Sequence, residues 1–107
     1  MRIFFAFSVL SFLAVTSAAW GGQPQPLRQQ ALIHLLKHDC GSCHGLTLKG
    51  GLGPPLTPEA LSGKSAEMLA DTIAYGLPAT AMPPWQGLLS REEIFWLAER
   101  LREGVAP

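Results

Sequence analysis

Cys40, Cys43 and His44 stand in the order Cys-Gly-Ser-Cys-His, two thiols three residues apart with an imidazole directly after the second. On a helical turn, positions i and i+3 share a face, so both thiols can reach one edge of a single bound group. The next residue lies about 100° further round the turn, which carries its imidazole beneath that group. Two thioethers to the vinyl groups of one porphyrin, with a histidine on its iron, require this arrangement. It is the c-type haem attachment pattern. A thioredoxin-like dithiol or a plain disulfide would also use Cys-x-x-Cys. No strand–helix–strand pattern surrounds the motif, however, and neither alternative explains His44.

A haem iron held by one histidine has a second axial position. Met82 is the candidate for it, in Leu77-Pro78-Ala79-Thr80-Ala81-Met82-Pro83-Pro84-Trp85. Pro83 and Pro84 fix φ and remove two amide donors, so this stretch cannot become helix. That suits a loop that must hold one thioether over a metal. Sulfur is a soft, neutral ligand that favours Fe(II), and His/Met ligation raises the reduction potential. Met68, in a helical stretch at core spacing, reads instead as packing. Trp85 is expected to form an apolar wall beside Met82, with its indole N–H free for a haem propionate or simply buried at the surface. After His44 the run Gly45–Pro58 carries four glycines and three prolines, which excludes a regular helix or central strand. It is expected to wrap the proximal face of the haem, with Leu46, Leu52 and Leu56 covering it. A carbonyl near Pro54 could accept a hydrogen bond from the His44 Nδ1–H.

The elements that must hold these groups read as helices only. Pro26 suits a first helical position, and Leu27 to about Asp39 is expected as the first helix, with Leu27, Ala31, Leu32, Leu35 and Leu36 on its apolar face. His34 and His38 lie four apart on it, a metal-chelating spacing that more often marks two solvent-facing histidines. Thr57-Pro58-Glu59 predicts a short turn through Ser62. Ser65 caps a helix over Ala66–Tyr75 that stops at Gly76. Ser90 and Glu93 form a capping box for a last helix, Arg91–Glu103, stopped at Gly104, with Ile94, Leu97, Ala98 and Leu101 as its buried stripe. Arg91, Glu92, Glu99, Arg100, Arg102 and Glu103 read as its solvated face. The expected fold is all-α, three to four helices with loops wrapped around one covalently bound haem.

Met1-Arg2, an apolar stretch from Ile3 to Val15 and small residues at Thr16–Ala19 make a secretory signal peptide with cleavage after Ala18 or Ala19. Residues 1–19 are assigned to it and residues 20–107 to one domain, which places that domain outside the cytoplasm, in the periplasm, with no membrane span once the signal is removed. Without Arg2 the chain carries seven Lys+Arg against eight Asp+Glu, with no basic stripe, so nucleic acid is not an expected partner. So small a domain is marginal for a core of side chains alone, and a porphyrin would add a large rigid apolar body to it.

Taken together, the helix leading into Cys40–His44, Gly53-Pro54 followed by Leu56, Met82-Pro83 and the capped last helix resemble the class I cytochromes c over nearly all of residues 20–107. The resemblance implies the cytochrome c fold, haem c with its iron, thioether links at Cys40 and Cys43, axial His44 and Met82, and the Pro54 carbonyl behind His44. Three positions depart from it. Leu32 stands where the family often has Gly, and Leu36 and Arg100 where it often has aromatics, all at the crossing of the first and last helices; Phe95 or Trp96 is the candidate compensation. The stretch from Thr72 to Trp85 resembles more narrowly the small periplasmic cytochromes encoded beside cytochrome cd1-type nitrite reductase. That implies a monomeric one-electron carrier, not an enzyme, with redox proteins as partners and that reductase among them. The alternative it carries is a role in maturing the reductase's haem d1. A gas-binding or peroxidatic haem protein is a third reading, and it needs an open axial position.

Overall fold

The structure, a computed structural model, describes residues 22–105; the expected signal peptide lies outside the described residues. Helix α1 (Pro26–Leu35) opens with proline at its first position, where the missing N–H costs no bond. It does not continue as α-helix to Asp39. Residues Leu36–Cys40 form a π-helical turn in which the Gly41 N–H reaches back five residues to the Leu36 carbonyl, and α2 (Gly41–His44) follows directly. The wider turn adds a residue between the core-facing side chains of α1 and the Cys-x-x-Cys-His motif, and such π turns concentrate at functional sites. Leu32 and Leu36 are the inward residues here; Leu27 is 80% exposed and Ala31 is also exposed, so the buried face is narrower than the leucine spacing predicts.

Residues 57–63 make hydrogen-bonded turns rather than a helix, with Leu61 N–H on the Thr57 carbonyl at 3.0 Å and Ala60 N–H on Thr57 Oγ1 at 3.3 Å. Helix α3 (Ala66–Tyr75) begins at Ser65, whose Oγ accepts the Met68 N–H at 3.1 Å, and ends at Gly76. Helix α4 (Arg91–Glu103) has the full capping box. Glu93 N–H donates to Ser90 Oγ at 3.1 Å, and Ser90 N–H donates to Glu93 Oε2 at 3.0 Å. No strand occurs among the described residues, and the fold is all-α as expected.

The core is built where α3 and α1 lie on α4. Leu32 and Leu36 meet Leu69 and Ala66 of α3, Ile94, Trp96, Leu97, Ala98 and Leu101 of α4, and the loop residues Leu48, Leu61 and Leu89. Burial of these apolar side chains is the main stabilising contribution the chain makes for itself. The crossing of first and last helices accommodates its unusual residues. Leu32 is fully buried in the same cluster as Ala98, also fully buried, so a large side chain on α1 is offset by a small one on α4. Trp96 supplies the buried aromatic. Arg100 is not simply solvated as its place among the charged residues of α4 predicts: it is half-buried, with its guanidinium carbon 5.4 Å from the Trp96 ring centroid and Nη2 on Glu103 Oε1 at 2.8 Å. Met68 also departs from expectation. It is 57% exposed, while Leu69 beside it faces the core.

One polar tie joins the two ends of the described chain. Arg28 of α1 donates through Nε to Glu93 Oε1 and through Nη2 to Oε2, the latter at 3.2 Å. Glu93 therefore caps α4 and holds α1 against it. The Arg28 guanidinium, aided by the Ser90 N–H, keeps the Glu93 carboxyl below the usual carboxylate range despite partial burial.

Candidate haem site

The π turn and α2 carry Cys40 and Cys43 as free thiols, both half-buried and not joined in a disulfide. Burial, reinforced by the neighbouring Asp39 carboxylate, pushes the Cys40 thiol up to about 11, so it stays protonated at neutral pH. That is the opposite of the lowered value that activates a dithiol redox centre, and it counts against the thioredoxin-like alternative.

The loop after α2 folds back onto the helix end and satisfies the carbonyls left open there. Gly50 N–H bonds the His44 carbonyl and Gly53 N–H bonds the Cys43 carbonyl, both at 2.8 Å, and Leu56 N–H closes the loop on Leu48 at 2.9 Å. This folding brings Pro54 to His44: its carbonyl oxygen lies 2.7 Å from Nδ1. A carbonyl can only accept, so Nδ1 carries the proton. In the neutral imidazole the lone pair is then on Nε2, the nitrogen free to bind a metal. Gly53 leaves the space the ring needs. A Cβ there would stand 2.8 Å from His44 Cε1 and 2.8 Å from Nδ1. The leucines of this loop divide differently from expectation. Leu46 and Leu52 are exposed, Leu56 is half-buried against the core, and Leu48, held at φ 59°, is the one that is buried.

Met82 is half-buried in a second loop that is clamped to the end of α3. Leu77 N–H bonds the Met82 carbonyl at 3.2 Å, and Met82 N–H bonds Thr80 Oγ1 at 3.3 Å. After the two prolines, the next amide, Trp85 N–H, reaches the Ile73 carbonyl at 3.0 Å. The loop is thereby pinned on both sides of the methionine. Gly76, at φ 68°, makes the reversal possible; a Cβ there would come within 2.6 Å of the Met82 carbonyl oxygen. Trp85 is half-buried and packs on the core cluster beside this loop. The stretch from Gly76 to Ser90 contains no ionisable side chain, and Leu77 and Leu88 in it are exposed.

These groups fit a covalently held haem. Two unpaired thiols sit on consecutive helical turns, an imidazole has its tautomer fixed with Nε2 free, a thioether is carried on a hydrogen-bonded loop, and both loops hold exposed leucines. An open groove of about 680 Å³ between α3 and α4, lined by Ala70, Ala74, Phe95 and Trp96, shares no residue with this set.

Residues 28–99 match the family model described as cytochrome c oxidase, cbb3-type, subunit III. The chain is 60% identical over 85 residues to cytochrome c55X of Pseudomonas aeruginosa, covering 78% of this chain and 71% of that protein. Among solved structures it resembles the c-type cytochrome NirC, with TM-score 0.76 and 60% identity over 78% of this chain and all of that one. It also resembles part of a dihydro-heme d1 dehydrogenase, NirN in complex with DHE, with TM-score 0.61 and 35% identity. That match covers 69% of this chain and 16% of the dehydrogenase.

Proposed function

The chain belongs to the c-type cytochromes, in the family of the cbb3-type oxidase subunit III model, and binds haem c; from that premise we propose how it holds the haem and whom it serves. Cys40 and Cys43 would hold the haem through thioethers, His44 Nε2 and Met82 Sδ would ligate its iron, and the Pro54 carbonyl would orient the imidazole and raise its basicity. The haem supplies a one-electron Fe(III)/Fe(II) couple. The chain's own contribution would be to offer the iron two ligands from hydrogen-bonded loops, leaving no open position for a substrate and little rearrangement on electron transfer. The observation that supports this most directly is the His44–Pro54 hydrogen bond, which leaves Nε2 as the only imidazole nitrogen able to ligate. Trp85 walls the Met82 loop. A gas-binding or peroxidatic function would require the position that Met82 closes.

The protein works as a one-electron carrier, consistent with its cytochrome c55X and NirC relatives. The apolar, small-residue leader at positions 1–19 directs it to the periplasm, where it acts as a monomer on redox proteins, cytochrome cd1-type nitrite reductase among them. Among the described residues no helix is long and apolar enough to cross a membrane. Met82→Ala in the haem-loaded protein tests the ligand set: the potential falls and the ferrous form binds carbon monoxide. An unchanged potential removes Met82 from the iron.

The likeness to part of a dihydro-heme d1 dehydrogenase favours a second reading, service in haem d1 maturation. A carrier with this fold would accept or deliver single electrons while that haem is assembled. A deletion strain separates the two. Nitrite reductase lacking haem d1 supports maturation, whereas complete but electron-starved enzyme supports donation.

A further inference from the structure

His34 and His38 are not used by the haem site. We propose that they form an exchangeable surface site for a borderline divalent cation, Cu(II) or Zn(II). The two residues lie at i and i+4 across the junction of α1 and the π turn, both exposed, with ring centroids 4.2 Å apart and planes inclined at 37°. A four-residue spacing alone leaves imidazoles free to point apart. Here the side chains have already converged, on continuous helical backbone that fixes their separation, so little ordering remains to be done on binding.

The geometry suits a shared metal. With metal–nitrogen distances of about 2.0–2.1 Å, two ligands of a tetrahedral ion stand roughly 3.3 Å apart. Rings 4.2 Å apart and tilted open on one side can present nitrogens at that separation after small side-chain rotations. The donor type selects the ion. Neutral imidazole suits copper, zinc and nickel and is a poor ligand for magnesium or calcium, and copper(II) is favoured over zinc by the general order of affinities. No group of three or more His, Cys, Asp or Glu side chains gathers around a metal position among the described residues. Water therefore completes the coordination, and the ion exchanges rather than serving as a closed structural centre. The site is separate from the iron ligand, because His44 is turned to the Pro54 carbonyl.

The test uses oxidised, haem-loaded protein, in which ferric iron has no electron to give to Cu(II). Copper(II) chloride is titrated and followed by calorimetry and by electron paramagnetic resonance. The wild type binds one equivalent with coupling to imidazole nitrogens, and zinc(II) competes for the same site more weakly. His34→Gln and His38→Gln, both at exposed positions, each weaken binding at least about tenfold and lose one nitrogen from the spectrum. Equal affinity in either variant and the wild type, or bound copper without imidazole coupling, overturns the site.

Discussion

At the scale of single residues, the site depends on where a side chain is missing as much as on where one is present. His44 keeps its hydrogen bond to Pro54 because residue 53 has no Cβ to meet its ring. Gly53→Ala is therefore expected to push the imidazole away from the Pro54 carbonyl and to destabilise the folded protein by about 1–3 kcal/mol, the range for overfilling a packed position. Thermal unfolding of the haem-loaded variant measures the loss, and a raised potential reports the weaker imidazole donor, which stabilises Fe(III) less. A variant with wild-type stability and potential would show that the ring tolerates displacement. The five residues from Cys40 to His44 could be read as a haem motif from their spacing, and Pro54 from the resemblance that Gly53-Pro54 carries. Leu48 could not. Its burial depends on a left-handed backbone conformation that leucine rarely adopts, and a glycine- and proline-rich loop offers no periodicity from which to infer it.

At the scale of elements, α3 and α4 were legible almost to the residue, because their ends are set by local chemistry. Ser65, Ser90 and Glu93 bond amides three residues away, and those spacings are visible in any sequence. The π turn was not legible, since the choice between a partner four or five residues back is made by the packing of Leu36 and the loop beyond it. Nor was the Arg28–Glu93 tie, whose partners are 65 residues apart. That tie makes the junction of α1 and α4 sensitive to acid. Glu93 has a folded-state value below its unfolded one, so its contribution is present above the ordinary glutamate range, about 4.3, and is lost as pH falls through the depressed folded value. Glu93→Gln, which keeps the shape of the cap, should lower stability at pH 7 and converge with the wild type as pH falls below the ordinary glutamate range. Denaturant unfolding across that range decides it. A difference between the two proteins that persists undiminished in acid would assign Glu93 a purely steric role.

At the scale of the whole molecule, the charges are unevenly placed. Most of them lie on the helices, while the run Gly45–Pro58 after His44 holds one lysine, Lys49, and Gly76–Ser90 around Met82 holds none. The overall class was readable because helix patterning, caps and the attachment motif agree on one architecture. Which donor and acceptor it serves was not, because no motif in the sequence marks a partner-specific contact. The uncharged Met82 loop has a kinetic consequence. Proteins that find each other through opposed charges associate fastest in dilute buffer and slow steeply as salt is added, within a screening length of about 10 Å at 0.1 M. A carrier that meets its partner through Leu77, Leu88 and the proline-flanked methionine has no such field to screen. Its second-order electron-transfer rate, measured by stopped flow against a periplasmic reductase, should change by less than about threefold between 10 mM and 500 mM salt. A steep fall with salt would place the encounter on the charged helices instead. Salt-independent encounter would let the carrier exchange electrons at a steady rate while the ionic strength around it varies.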